Sequence, residues 1–243
     1  MIVLFTDFGA AGPYVGQMRA VLAREASDVP VIELFADAPM CNPRASAYLL
    51  AAYCHEFAAG SVFIAVVDPG VGSARAAVAL KADSNWYVAP DNGLLAMVAR
   101  RAAVARWWHI TWRPEILSAS FHGRDLFAPV AARLAMGEGP PGEPLDGAQT
   151  IGGDWPDDLA EIIYLDHFGN AMTGLRAASL AQDARLTVGG RELVRARTFS
   201  DMPDGGAFWY ENANGLAEIA VTGCRAQEVL GLSIGSDVKV IAA

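Results

Sequence analysis

Five short segments of the chain concentrate side chains able to move protons, pair with amines or stack on rings. They are Thr6-Asp7-Phe8-Gly9, Val67-Asp68-Pro69-Gly70-Val71-Gly72-Ser73 with Arg75 close behind, Pro90-Asp91-Asn92-Gly93, Ser120-Phe121-His122-Gly123-Arg124-Asp125, and Asp166-His167-Phe168-Gly169-Asn170. The last offers a carboxylate, an aromatic face and an amide within one turn of chain. Each segment also has a plain structural reading. Asp68 before Pro69 suits the start of a turn, Arg75 a solvated charge, and His122 the cap of the helix that follows. What lifts them above that reading is their placement, because Asp7, Asp37, Asp68 and Asp91 each follow a strand-like run, and ligands of open α/β sheets gather at the carboxyl ends of strands.

The elements that must position these groups alternate along the first 150 residues. Strand-like runs fall at 2–5, 31–35, 62–67, 76–80 and 86–89, and helical patterns at 14–26, 43–57, 93–101 and 127–136. Asn42 before Pro43 is a capped helix start. This alternation predicts an α/β layer with a mostly parallel central sheet flanked by helices. Between Gly137 and Pro156, four prolines and six glycines break regular structure, which predicts a linker or long surface loop. Beyond it, short strand-like runs at 161–165, 185–188, 191–194, 216–221 and 237–241, with Gly189-Gly190 placed as a two-residue hairpin turn, predict a smaller antiparallel, barrel-like β domain. The expected domains are residues 1–150 and 157–243.

Composition narrows the function classes. The chain has 243 residues, 53% hydrophobic and 19% charged, with a formal net charge of −9. A surface this acidic disfavours nucleic acid and anionic membranes as partners, since both require neutralising basic groups. No apolar run reaches the ~18 residues a membrane helix needs. The three cysteines, Cys41, Cys54 and Cys224, are odd in number and lack C-x-x-C spacing, which argues against a disulfide framework or a zinc site and for a reducing cytoplasm. Cys54 and Cys224 read as small core residues. The apolar start, residues 1–5, lacks a basic n-region and reads as a buried strand rather than a signal peptide.

Taken in order, TDFG, VVDPGVGSAR, PDNGLL, FHGRDLFAP and DHFGN resemble the S-adenosyl-L-methionine (SAM) hydroxide adenosyltransferase family, the SAM hydrolases related to bacterial fluorinase and chlorinase. That resemblance implies an α/β domain followed by a β domain, a homotrimer with SAM at the interface of neighbouring subunits, and no cofactor or metal. It implies Asp68, Arg75 and His122 as the groups acting on a water, with adenosine and L-methionine as products. Asp7 corresponds to the carboxylate on the ribose hydroxyls, with Phe8 beside it. Asp166 corresponds to the partner of the methionine amine, Phe168 to the adenine-stacking face, Asn170 to the reader of adenine's polar edge, and Met40 to an apolar wall. Near the end, an Asn-Ser-x-Gly pattern becomes Asn212-Ala213-Asn214-Gly215, so the hydroxyl expected on the methionine carboxylate is missing and Asn214 is the candidate replacement. His55, His109 and His167 receive no catalytic role.

Two other functions share these motifs. A halogenase is one, because Gly123 stands where the fluorinase carries a halide-contacting Ser and the chlorinase a Gly. An ionised Asp68 beside the nucleophile opposes that reading by repelling a halide. A SAM- or nucleoside-binding protein without turnover is the other.

Overall fold

A computed structural model describes residues 1–145 and 151–241, which form two compact units, Met1–Trp155 and Pro156–Ala243. The first unit carries strands β1 (Ile2–Thr6), β2 (Val31–Phe35), β3 (Val62–Val66), β4 (Ala77–Ala82), β5 (Asn85–Pro90), β6 (Ala105–Ile110) and β7 (Gly142–Leu145). Its helices are α1 (Tyr14–Glu25), α2 (Pro43–Tyr53), α3 (Ala96–Arg101) and α4 (Ala128–Ala135). All seven strands join one mixed sheet in the order β2-β1-β3-β5-β4-β6-β7. The pairings β2-β1, β1-β3 and β3-β5 are parallel, whereas β4, β6 and β7 are added antiparallel.

Every residue of β1 and β3 is buried, as expected for central strands covered on both faces. On one face Ile2, Leu4, Val62 and Ile64 pack with Met18 and Leu22 of α1 and Val130 and Ala131 of α4. On the other, Phe5 meets Phe35, which in turn meets Tyr53 at the end of α2, and Phe63 stacks on Tyr87 with centroids 4.7 Å apart. Helix α2 starts where Asn42 accepts the Ala45 N–H at 3.0 Å, with Pro43 in its first turn.

The alternation of strands and helices did not disclose β6 or β7. Strand β6 reads Ala-Arg-Trp-Trp-His-Ile, with no clean period of two. Strand β7 lies inside the stretch expected to be a linker, which is therefore corrected for residues 142–145. Proline is tolerated there because β7 is the sheet edge, where one row of N–H groups faces away from any partner. Gly142 is required, since a Cβ at that position would sit 1.9 Å from the His109 carbonyl oxygen. The part of that stretch spanning 146–150 lies outside the described residues.

The second unit contains β8 (Leu159–Leu165), β9 (Ala171–Arg176), β10 (Arg185–Val188), β11 (Arg191–Arg195), β12 (Ala207–Glu211), β13 (Leu216–Val221) and β14 (Lys239–Ile241), with a single helical turn, α5 (Ala226–Val229). They form a sheet in the order β14-β10-β11-β12-β13-β9-β8, antiparallel except for β11-β12. The sheet curls, because β8 at one end bonds to the segment leading into β14 at the other: Ile162 N–H to Ser236 O at 2.9 Å and Val238 N–H to Ala160 O at 2.9 Å. Gly189 and Gly190 both take positive φ, 56° and 74°, and turn β10 into β11. Strands β9 and β12 escaped the sequence reading. Five of six β9 residues are buried, so no polar alternation marks it.

Trp209 of β12 is fully buried at the centre of this unit, and its indole N–H donates to Ala184 O at 3.1 Å. Cys224 is exposed, which corrects its reading as a core residue; the turn through Gly223, at φ 73°, carries it out of the sheet. Replacing a buried tryptophan leaves both a cavity and an unpaired carbonyl. Trp209→Ala is expected to lower unfolding free energy by about 3–5 kcal/mol in urea titration; a loss below ~1 kcal/mol would remove Trp209 from the centre of the core.

Candidate active site

The sheet topology delivers the candidate groups to one edge. Strands β2, β1, β3 and β5 run parallel, so the residues that follow them, Asp37, Asp7, Asp68 and Asp91, all emerge at the carboxyl edge. Strand β4 runs the other way, with Ala77 opposite Pro90, and its preceding residue Arg75 therefore starts from that same edge. Strand β6, antiparallel to β4, ends there too, and the chain continues from it to His122.

Asp68 is the centre of this edge. Its side chain is 7% exposed and pairs through Oδ1 with the Arg75 guanidinium, itself 28% exposed. The same oxygen accepts the Gly70 N–H at 3.1 Å, and Ser73 N–H bonds back to Gly70 O at 3.2 Å, which closes a tight loop between the two charges. Gly70 matters for a specific reason. A Cβ there would fall 2.2 Å from Arg75 Nη2, so the guanidinium lies directly over bare backbone. Gly72, at φ 80°, is pressed just as closely against the Ala119 carbonyl, 2.3 Å from its would-be Cβ.

That contact ties the Asp68 loop to the segment bearing His122. Asp125 accepts the Ser118 N–H at 2.9 Å and forms a two-bond pair with Arg124, at 2.6 and 3.0 Å. The Arg124 guanidinium holds the Asp125 carboxyl below the usual carboxylate range. His122 immediately precedes a five-residue π-type helix, Gly123–Phe127, that runs into α4. Helices of this kind recur at functional positions. Asp68, Arg75 and His122 line one cleft of about 340 Å³, together with Arg113, Leu117 and Phe127. Arg113 carried no signal in the sequence; it donates to the carbonyls of Ile110 and Trp112 at the end of β6.

Asp7 takes the Cys41 N–H on Oδ2 at 2.9 Å. Cys41 is a non-glycine residue at φ 54°, a conformation costing about 1 kcal/mol, held here so that its N–H meets the carboxylate. Burial raises the Asp7 carboxyl above its usual value and the nearby Asp68 charge adds to the rise, while the Cys41 N–H opposes both. Met40, next in the chain, is 77% exposed. Phe8 packs with Tyr14 and Phe121, centroids 5.8 Å away in each case. Its ring also covers Gly123, where a Cβ would lie 3.1 Å from Phe8 Cζ. Asn92 has a structural job: Nδ2 donates to Val67 O at 2.8 Å and steadies the end of β3.

In the second unit, Asp166, Phe168 and Asn170 share the loop from β8 to β9. Asp166 accepts the backbone N–H of Asn170 on Oδ1 at 2.8 Å and its side-chain N–H on Oδ2 at 3.3 Å. This small ring pushes Phe168 outward, to 73% exposure. The three residues line a cleft of about 630 Å³ with Phe199, Tyr210 and Arg225. Sequence reasoning missed those last three, which come from segments with no pattern of their own. Asn214 is not among the lining residues. It sits in the turn between β12 and β13, its N–H bonded to Asn212 Oδ1 at 3.0 Å. Among the described residues, no group of three or more His, Cys, Asp or Glu side chains is placed to hold a metal ion, and no helix is long and apolar enough to cross a membrane.

Comparison with known proteins now defines the class. The profile of the SAM hydroxide adenosyltransferase N-terminal domain matches residues 2–143, and that of the C-terminal domain matches residues 160–239. The chain belongs to the SAM hydroxide adenosyltransferase family. Among curated relatives it is 39% identical to an (R)-S-adenosyl-L-methionine hydrolase of Salinispora arenicola, over 98% of this chain and 96% of the relative. It is 37% identical to a protein of that name from Thermus thermophilus, over 99% of each. A fluorinase of Nocardia brasiliensis is a distant relative at 22%. A crystal structure of an uncharacterized conserved protein from Thermotoga maritima superposes with a TM-score of 0.89 at 31% identity, covering 99% of this chain and 100% of that one.

Two outcomes follow from the geometry. Gly70 does not need a positive φ, so Ala fits its backbone and only the guanidinium must move. Gly70→Ala is expected to leave the melting temperature and ligand affinity nearly unchanged while turnover drops about 10- to 100-fold through misplacement of Arg75. Unchanged turnover would show that Arg75 need not lie on the loop. For Asp7, the ionised form is the one that accepts hydroxyl donors, and its carboxyl is raised. Ligand affinity should therefore weaken on acidification before ordinary surface Asp residues protonate, and Asp7→Asn should abolish that dependence in calorimetric titrations between neutral and mildly acid pH; an identical pH profile in the variant would rule Asp7 out.

Proposed function

We propose that this protein hydrolyses SAM to adenosine and L-methionine by attack of water on the ribose 5′ carbon. The observation that carries the reading is the Asp68–Arg75 ion pair facing the same cleft as His122, in a chain whose curated relatives are named SAM hydrolases. In the step, the water oxygen bonds to C5′ as the C5′–S bond breaks and its electron pair returns to sulfur. One water proton goes to the base. Methionine leaves as a neutral thioether, so no acid is needed at the leaving group.

The difficulty lies in the nucleophile. Asp68 orients the water and takes one of its protons, directly or by relay through His122, and Arg75 fixes the carboxylate's position. Asp7 suits the ribose diol, since a carboxylate offers two oxygens to two vicinal donors. The loop 166–170 suits the base and the amino group, and Phe8 and Met40 the apolar margin. Asn214 remains the candidate for the methionine carboxylate through its side chain, its backbone N–H being bonded to Asn212 Oδ1. We further propose a homotrimer with substrate at the interface of neighbouring subunits, supported by the family resemblance and the low charge content. A cytoplasmic setting is supported by three free cysteines.

Turnover of SAM in ¹⁸O-labelled water tests the proposal. Heavy oxygen should appear in the 5′ hydroxyl of adenosine, with no 5′-chloro nucleoside in added chloride; binding without turnover would replace the hydrolase by a sensor. Both sulfur epimers belong in the assay, because the curated relatives are named for the (R) form. Asp68→Ala and His122→Ala should retain SAM affinity within about ten-fold and lose on the order of 10²–10⁴ in turnover. Equal loss of affinity and turnover would make these residues part of the pocket wall.

A further inference from the structure

The Pro90-Asp91-Asn92-Gly93 turn takes no part in the hydrolysis step, yet both ends of the loop that carries the ion pair rest on it. Asp91 N–H donates to Ala76 O at 2.9 Å, and Asn92 Nδ2 donates to Val67 O at 2.8 Å. Val67 directly precedes Asp68, and Ala76 directly follows Arg75. Two consecutive residues of the turn therefore hold the two feet of the loop 68–75, and the Asp68–Arg75 pair closes its neck.

Asn92 suits this place chemically. A short side-chain amide offers a donor and an acceptor at once, and here both are used: while the nitrogen serves Val67, Oδ1 accepts the Leu94 N–H at 3.2 Å, and the residue is 9% exposed. The Val67 carbonyl shares a rigid peptide plane with the Asp68 N–H, so the amide sets the direction in which the chain enters Asp68. The turn is itself clamped. Gly93, at φ 90°, lies under Trp155, with a would-be Cβ 2.6 Å from Trp155 Cη2. Arg100 donates to the carbonyls of Gly152, Gly153 and Trp155, which holds the segment bearing that indole in place.

We propose that Asn92 is a positioning residue for the Asp68–Arg75 pair, with the Trp155–Arg100 clamp as its support. This rests on the reading above, in which the pair acts on the attacking water. Alignment of a nucleophile is sensitive to displacements of about 1 Å, which cost on the order of 10²-fold in rate. The substrate is held by other groups, so releasing the loop's feet costs turnover and spares affinity.

Asn92→Leu keeps the side chain's volume and removes both of its hydrogen bonds, and two measurements on it test the assignment. Hydrogen exchange read by mass spectrometry reports on the loop itself, because the Gly70, Val71 and Ser73 N–H groups are bonded within it. In the variant, residues 68–75 should exchange at least about five-fold faster, with β9 and β13 of the second unit unchanged. SAM turnover should fall about 10- to 100-fold while calorimetric SAM affinity stays within about three-fold. Unchanged exchange in 68–75, or full turnover despite faster exchange, overturns the proposal. Faster exchange throughout both units, with affinity and turnover lost equally, would make Asn92 a general stabiliser and overturn it too. Should Asn92→Leu not fold, Trp155→Ala lifts the ring from Gly93 and must loosen the same segment with the same split between turnover and affinity. A wild type that binds SAM without converting it would retract the hydrolase, and local loosening in the variant would then leave Asn92's hold on the pair standing.

Discussion

A nearly buried carboxylate held against a guanidinium over a bare glycine is the constraint on which the site depends. Asp68 is enclosed, and a carboxylate in such a place needs a partner, since an unpaired buried charge costs several kcal/mol. Arg75 supplies that partner, and it reaches Oδ1 only because residue 70 has no side chain. Pairing has a second effect. It leaves the carboxylate with one oxygen less committed, Oδ2, and a positive charge at hand for hydroxide character as it develops. Arg75 is partly solvated, so its contribution is positional more than coulombic.

The rest of the first unit can be understood as what brings these groups to one edge. A parallel strand leaves its following residue at the carboxyl edge, which accounts for Asp7 and Asp68. It cannot account for Arg75, which precedes a strand. The antiparallel return of β4 does so, and the return of β6 brings the His122 segment back to the same side. Close packing then sets the spacing: Gly72 against Ala119 fixes the Asp68 loop to the stretch that Asp125 anchors. Burial raises the Asp7 carboxyl, the Asp68 charge adds to the rise, and the strained Cys41 N–H offsets part of it.

Much of this was legible in the chain itself. The buried strands β1 and β3 announce themselves as continuous apolar runs ending in Asp, and the Gly189-Gly190 hairpin as two residues suited to positive φ. The family motifs named Asp68, Arg75 and His122 together. Periodicity could not show β6 or β7, because mixed aromatic and charged residues hide the first and prolines disguise the second; with β6 went the reason that the His122 segment returns to the edge carrying Asp68 and Arg75. Nor could it show that Glu218 is buried, as one acid among apolar neighbours in the strand Leu-Ala-Glu-Ile-Ala-Val. Its hydrogen-bond donors Tyr210, on β12, and Asn212, just after it, are visible only in three dimensions.

If a water aligned by Asp68 displaces methionine in one step, the configuration at C5′ must invert. A carboxylate attacking first and released by water afterwards would give retention through two displacements. SAM made stereospecifically deuterated at C5′, converted by the enzyme and read out by NMR of the adenosine, distinguishes the two. Inversion is the outcome this account predicts; retention would contradict it.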